Sequence, residues 1–186
     1  MYRLLLLLPL LILTGCGPST NTHAPAQSGW QLDVCNAITK LGYGNWIIVA
    51  DAAYPQIHNA STQTIHAPAG SPDVVDLIIN CMETTQHVRP TFYLPRELRA
   101  LQPRQAPGID EHRSALAHAL HGYQPLELNE HMLNSLVTEA NKTFSALIIK
   151  TQTTLPYSSV FIDLDSGYWD QQHEQDLRSS MQQPAR

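Results

Sequence analysis

The sequence predicts an α/β protein, a layered sandwich with a mostly parallel central sheet flanked by helices. Three observations carry this. Segments with apolar residues at helical spacing alternate with short apolar runs of strand length, the pattern of a sheet covered by helices. One run, Trp46-Ile47-Ile48-Val49-Ala50, is apolar at every position, as a strand buried on both faces must be. Hydrophobic residues make up 43% of the 186 residues and charged residues 15%, which suits one core and excludes a wholly disordered chain.

The elements follow in order. Leu32, Val34, Cys35, Ile38 and Leu41 recur at helical spacing, and Gly42 follows as a stop. The run 46–50 is the first strand. Ser71-Pro72-Asp73 opens a second helix, with a capping serine, a proline in the first turn and an acid at the positive end. Val74, Val75, Leu77, Ile78 and Cys81 continue it. Thr91-Phe92-Tyr93-Leu94 reads as a strand, 110–120 and 130–143 as helices, and 145–150 and 160–164 as strands.

The ends differ from this body. Met1-Tyr2-Arg3 precedes an uncharged apolar run from Leu4 to Leu13, broken by Pro9. It is too short for a permanent membrane span and reads as the core of a signal peptide. It closes in Leu13-Thr14-Gly15-Cys16, which resembles the bacterial lipobox, where the cysteine thiol takes the lipid and the preceding peptide is removed. The expected organisation is therefore a lipoprotein signal peptide at 1–15, a flexible tether at 16–29 and a domain at 30–169. The Gln-, Ser- and charge-rich segment 170–186 reads as a solvated, disordered tail. The expected location is the bacterial cell envelope, lipid-anchored through Cys16 and facing the periplasm or the exterior.

Composition excludes several functions. Lys and Arg number 11 against 16 Asp and Glu, a formal charge of −5, so no nucleic-acid partner is expected. Three cysteines cannot build a four-cysteine zinc site or a dense disulfide scaffold. With Cys16 lipidated, Cys35 and Cys81 either pair in an oxidising compartment or remain buried free thiols; free thiols are the favoured reading. His112, His118 and His121 lie on or beside one helix, but no second motif joins them, so no metal site is expected. Asp163 and Asp165 read as a solvated strand face.

The stretch from Ile38 through Leu41-Gly42-Tyr43-Gly44 and Trp46–Ala50 to Asp51-Ala52-Ala53-Tyr54-Pro55 resembles the RbsD/FucU family of ribose pyranases and fucose mutarotases. Lys150-Thr151 followed by Pro156-Tyr157-Ser158-Ser159 and a strand looks like the closing segment of the same family. The resemblance spans nearly all of 30–165. It implies an RbsD/FucU-like fold, a monosaccharide ligand, a homo-oligomer whose sites draw on two subunits, and interconversion of sugar anomers or ring forms with no cofactor. Opening a hemiacetal needs one proton removed from the anomeric hydroxyl and one given to the ring oxygen, work usually done by histidine.

Carried over residue by residue, Asp51 matches the family aspartate and Tyr157 the family tyrosine. Both are expected in catalysis and sugar binding. Asp51 has an alternative role as the cap of a turn. Ser159 stands where the family has asparagine and is expected to bind the sugar. Tyr43 stands in place of the key histidine; a phenol, with an ordinary pKa of about 10, is a poor base at neutral pH. Tyr43 is therefore expected to bind sugar, with His58 or His131 as the catalytic replacement. A second reading stays open: a sugar-binding or structural envelope lipoprotein that has lost catalysis with the histidine.

Overall fold

A computed structural model describes residues 29–120 and 122–182. The signal peptide, Cys16, the tether up to residue 28 and His121 lie outside the described residues. The chain runs α1 (Gly29–Ile38), β1 (Trp46–Ala50), β2 (Thr62–His66), α2 (Ser71–Glu83), β3 (Val88–Pro95) and α3 (Arg96–Ala100). It continues α4 (Ile109–Ala119), β4 (Leu126–Leu128), α5 (Glu130–Ala140), β5 (Ala146–Lys150), β6 (Val160–Ser166) and α6 (Gln171–Met181).

The strands form one sheet in the order β2-β5-β1-β6-β3-β4. The β2–β5, β5–β1 and β3–β4 pairs are parallel, while β6 runs antiparallel to both β1 and β3. The sheet is thus mostly parallel with one reversed strand near its middle, and the expected α/β sandwich is the observed architecture.

Alternation along each strand divides the core into two layers. Ile47, Val49, Leu147, Ile149, Val160 and Ile162 face one way, among Val34 and Ile38 of α1, Val75 and Ile78 of α2, and Leu116 of α4. Trp46, Ile48, Ile148 and Phe161 face the other way, with Leu133 and Val137 of α5. Every residue of β1 is buried, which is why its sequence shows no polar position.

Two short strands escaped the sequence reading. β2 is an edge strand, Thr-Gln-Thr-Ile-His, with only Ile65 buried. Its order comes from pairing with β5 rather than from its own pattern. β4 is three residues long and pairs only with β3.

Three expectations need correction. Cys35 and Cys81 are not free: they form a disulfide between α1 and α2, with their Cα atoms 5.4 Å apart. Sequence spacing does not show this; the juxtaposition comes from both helices packing on the same face of the sheet. Ser71 lies inside α2, and Gly70 occupies the cap position without a side-chain bond. The Ser71 N–H donates instead to Thr153 Oγ1 at 2.8 Å, in the segment after β5. Much of the tail is a helix rather than a disordered segment: α6 is capped by Asp170, which accepts from the His173 N–H, and has no buried residue. Residues 183–186 lie outside the described residues.

Gly44 has a positive φ of 80°, and a Cβ there would stand 2.9 Å from the Phe144 ring. The turn into β1 therefore requires glycine both for its backbone conformation and for the close approach of Phe144.

The disulfide closes a loop with a sequence separation of 46 residues. In the chain-entropy account such a closure stabilises by about 2–4 kcal/mol. A Cys35→Ser/Cys81→Ser variant should lower the urea midpoint accordingly. A reductant should lower the wild-type midpoint by the same amount and leave the variant unchanged.

Candidate functional site

Strand direction determines which residues meet. Because β1, β3, β4 and β5 are parallel and β6 is reversed between β1 and β3, the ends of the first four and the start of β6 lie along one edge. That edge carries Asp51 after β1, Glu97 after β3, Glu130 after β4, Thr151 after β5 and Tyr157-Ser158-Ser159 before β6. Ligands of open α/β sheets commonly sit at such an edge.

Asp51 and Ser159 bond reciprocally. The Asp51 N–H donates to Ser159 Oγ at 3.1 Å, and that hydroxyl donates to Asp51 Oδ2 at 2.8 Å. Ser159 is fully buried and so is held in place. Asp51 Oδ1 accepts from the Ala53 N–H at 2.8 Å. The carboxylate thus caps a turn, as the alternative role anticipated, while also standing at the sheet edge with a fixed hydroxyl beside it. Thr151 Oγ1 donates to the Ala50 carbonyl at 2.9 Å, which fixes the end of β1.

Tyr157 has φ of 57°, the one positive value at a non-glycine among the described residues. A tyrosine in that region carries strain of order 1 kcal/mol, which surrounding contacts must sustain. Here Ser158 Oγ donates to the Leu155 carbonyl at 2.7 Å and tightens the turn. Tyr157 is half-buried and packs against the core beneath the edge.

Four further residues join this edge that the sequence reading did not single out. Tyr54 is buried, and its hydroxyl donates to Asn134 Oδ1 on α5 at 2.9 Å. Lys150 Nζ donates to the Tyr54 carbonyl at 2.8 Å. Burial, with the Glu130 and Asp51 charges adding to it, pushes the Tyr54 phenol up to about 12. Glu130, the first residue of α5, donates its backbone N–H to the Glu97 carboxylate, 3.2 Å to Oε2. Burial raises the Glu130 carboxyl above the ordinary range, and the Asp51 and Glu97 charges raise it further. Asp51, Glu97 and Glu130 therefore form one electrostatic group, drawn from three separate strand ends.

The remaining predicted residues are Tyr43, His58 and His131. Tyr43 precedes β1 and so lies at the opposite edge, 68% exposed, with its ring against Phe144. One chain does not bring Tyr43 to Asp51, because the whole of β1 separates them. His58 is exposed beside Val137, Thr138 and Asn141, toward the far end of α5. His131 is exposed one residue along α5 from Glu130. Among the described residues no three His, Cys, Asp or Glu side chains gather as a metal-binding group. His112 is buried, with Nε2 lacking a partner.

No family model matches the chain, and no curated protein matches it. Among solved structures it is similar to RbsD of Bacillus subtilis complexed with D-ribose, at 16% identity and a TM-score of 0.51. That match covers 77% of this chain and 95% of the other. The chain has the RbsD/FucU-like fold. The fucose mutarotase of Streptococcus pneumoniae in complex with L-fucose also aligns, at 18% identity and a TM-score of 0.48, over 72% of this chain and 91% of that one. FucU of Bifidobacterium longum aligns at 13% identity and a TM-score of 0.44, over 72% and 94%. At these identities the likeness is one of fold.

The raised Glu130 carboxyl has a consequence for stability. The folded state holds the Glu130 proton more tightly than the unfolded chain does. Its stabilising contribution is present below the ordinary carboxylate range and is lost as pH rises through the raised value. Glu130→Gln should therefore have a higher denaturation midpoint than wild type near pH 7. The difference should close as pH falls to about 3, where both side chains are neutral. Denaturant titrations at the two pH values check this.

Proposed function

We propose that this protein binds a monosaccharide at the Asp51 edge of the sheet and speeds interconversion of its anomers or ring forms without a cofactor. The observation that carries this is the Asp51–Ser159 pair beside the Glu130 carboxyl. It lies on a fold shared with RbsD, which has been seen with D-ribose.

The chemistry asks for two proton movements. A carboxylate accepts the proton of the anomeric hydroxyl, and a protonated group supplies one to the ring oxygen. Asp51 is positioned as the acceptor, with Oδ2 already bonded to the Ser159 hydroxyl. A carboxyl raised by burial and neighbouring charge remains a proton donor at higher pH, so Glu130 takes the donor role. Glu130 thus takes the proton-donor part usually given to histidine. Tyr157 offers its hydroxyl to the polyol, while the buried Ser159 hydroxyl holds the Asp51 carboxylate in place. The ring oligomer that the resemblance implies would bring Tyr43 of one copy to the Asp51 edge of another.

The same reading places the domain on the bacterial envelope through a lipid on Cys16. The Cys35–Cys81 disulfide supports it, because disulfides form and persist in oxidising compartments outside the cytosol. A Cys16→Ala variant should move from the membrane fraction to the soluble fraction of cells, read by immunoblot of the two fractions. Retention in the membrane would remove the anchor.

Saturation-transfer NMR of anomer exchange on D-ribose, L-fucose and other free sugars tests the activity. Asp51→Asn and Glu130→Gln should each slow the accelerated exchange by about 10²-fold or more, the usual contribution of a positioned acid or base. His131→Ala should leave it within a few-fold. If His131→Ala abolishes exchange and Glu130→Gln does not, the histidine is the proton donor. Tyr43 in place of the family histidine favours a second reading, a sugar-binding lipoprotein without catalysis. Sugar binding with no acceleration for any sugar would select that one.

A further inference from the structure

The first face of the sheet holds a cleft of about 350 Å³, enclosed by α3, α4, the segment after α4 and the β3–β4 pair. Its volume lies in the range of ligand pockets, roughly 300–1,000 Å³. We propose that this cleft binds a small amphiphilic anion, an apolar chain or ring carrying one carboxylate, and does so independently of the Asp51 site.

The first support is how the cleft is walled. Leu94 of β3, Leu98 of α3, Leu116 of α4, and Leu120 and Tyr123 after it line the interior. Leu98, Leu116 and Leu120 are buried within the one chain, so the cleft reaches into the core rather than resting on an exposed patch. The Tyr123 ring is held against Phe92, with centroids 4.7 Å apart. Water finds few hydrogen-bond partners among such walls, and an apolar guest replaces it favourably. A sugar would instead leave hydroxyls unpaired against leucines.

The second support is the charge around the opening. Two guanidinium groups, Arg99 and Arg113, and one carboxylate, Glu127, line the cleft. Arg113 is a fixed cation: its Nη1 donates to the Leu98 and Leu101 carbonyls, both at 3.0 Å, and its Nη2 to Asp110. These bonds tie α4 to the end of α3 and occupy only part of the donor fork, so the remaining N–H groups serve a carboxylate. Asp110 is 59% exposed and is not among the lining residues. Arg99 Nη2 lies 3.3 Å from Glu127 Oε2, with the Arg99 side chain 73% exposed. An exposed pair of this kind contributes little and exchanges readily for a ligand carboxylate. The positive balance of the lining favours an anion over a cation.

The sheet separates this cleft from the Asp51 group. Leu94, Leu98, Leu116, Leu120 and Tyr123 pack in the first core layer. Tyr93, Leu128 and the buried residues of α5, the helix that begins at Glu130, pack in the second. α3 divides the same way: the Glu97 carboxylate accepts the Glu130 N–H, while Leu98 and Arg99 line the cleft.

The test titrates the full chain with octanoate and decanoate below their micellar concentrations, and with octanol and octylammonium as neutral and cationic counterparts. The readout is the NMR methyl resonances of Leu98, Leu116 and Leu120. At least one carboxylate should shift them saturably, octanol should bind about tenfold more weakly or worse, and octylammonium should not bind. Arg113→Gln should weaken carboxylate binding about tenfold or more, as loss of a hydrogen bond to a charged group does. Arg99→Gln, at an exposed side chain, should weaken it several-fold and serves if Arg113→Gln does not fold. Ala117 lines the opening and is exposed, so Ala117→Phe should block binding without disturbing the core. Asp51→Asn should leave binding unchanged. Circular dichroism of each variant establishes that it is folded. Four outcomes overturn the proposal. They are no saturable shift with either carboxylate, octanol binding as tightly as octanoate, equal loss of binding in Asp51→Asn, or methyl resonances that move only with protein concentration. The last would make the cleft a contact between copies of the chain.

Discussion

Strand β6 runs against both of its neighbours, and its backbone bonds to β1 and β3 hold the middle of the sheet together. Reversal has a geometric consequence. The residues that lead into β6 arrive at the edge where β1, β3, β4 and β5 end. The residues that leave β6 arrive at the edge where those strands begin. Ser159 is thereby set against Asp51, and Asp165 against Arg89. A parallel strand in that position would have exchanged the two sets. Both edges depend on this one direction.

The Asp51 edge is electrostatically uneven in a useful way. Three carboxyl groups from separate strand ends share it, and Tyr54 lies buried among them with its phenol pushed up to about 12. Tyr54 therefore stays neutral and donates to Asn134, which ties the loop after β1 to α5. Glu130 is raised by its own burial and by the Asp51 and Glu97 charges. A raised carboxyl near a carboxylate held by hydrogen bonds supplies the donor and acceptor that acid–base chemistry needs. At the opposite edge Asp165 and Glu174 are paired with arginines and Asp170 with His173.

The helices on the first face carry the rigidity that both edges rely on. α1 is short and contributes few buried residues, Val34, Ala37 and Ile38. The Cys35–Cys81 bond attaches it to the longer α2. α2 is anchored at its start by the Thr153 hydroxyl, from the segment that joins β5 to β6. The disulfide and the Ser71–Thr153 bonds connect the N-terminal helix to the segment that leads to Tyr157 and Ser159.

The sequence by itself determined the element types where periodicity is strong. β1 appears at the predicted residues, α2, α4 and α5 begin within a residue of theirs, and the mostly parallel α/β class follows from their alternation. It also marked Asp51 and Ser159 as site residues, which the structure brings into direct contact. Tertiary structure alone decided the rest. Glu97 and Glu130 are ordinary acids at helix starts until strand order places them beside Asp51. Tyr43 is only eight positions from Asp51, yet an extended buried strand puts them at opposite edges. β2 and α6 lack a buried stripe of their own and take shape from pairing or capping. The pairing of Cys35 and Cys81 depends on two helices sharing one face. Periodicity is a local property that a sequence carries openly, whereas strand order and direction join residues far apart in the chain, and only the folded backbone shows which of them meet.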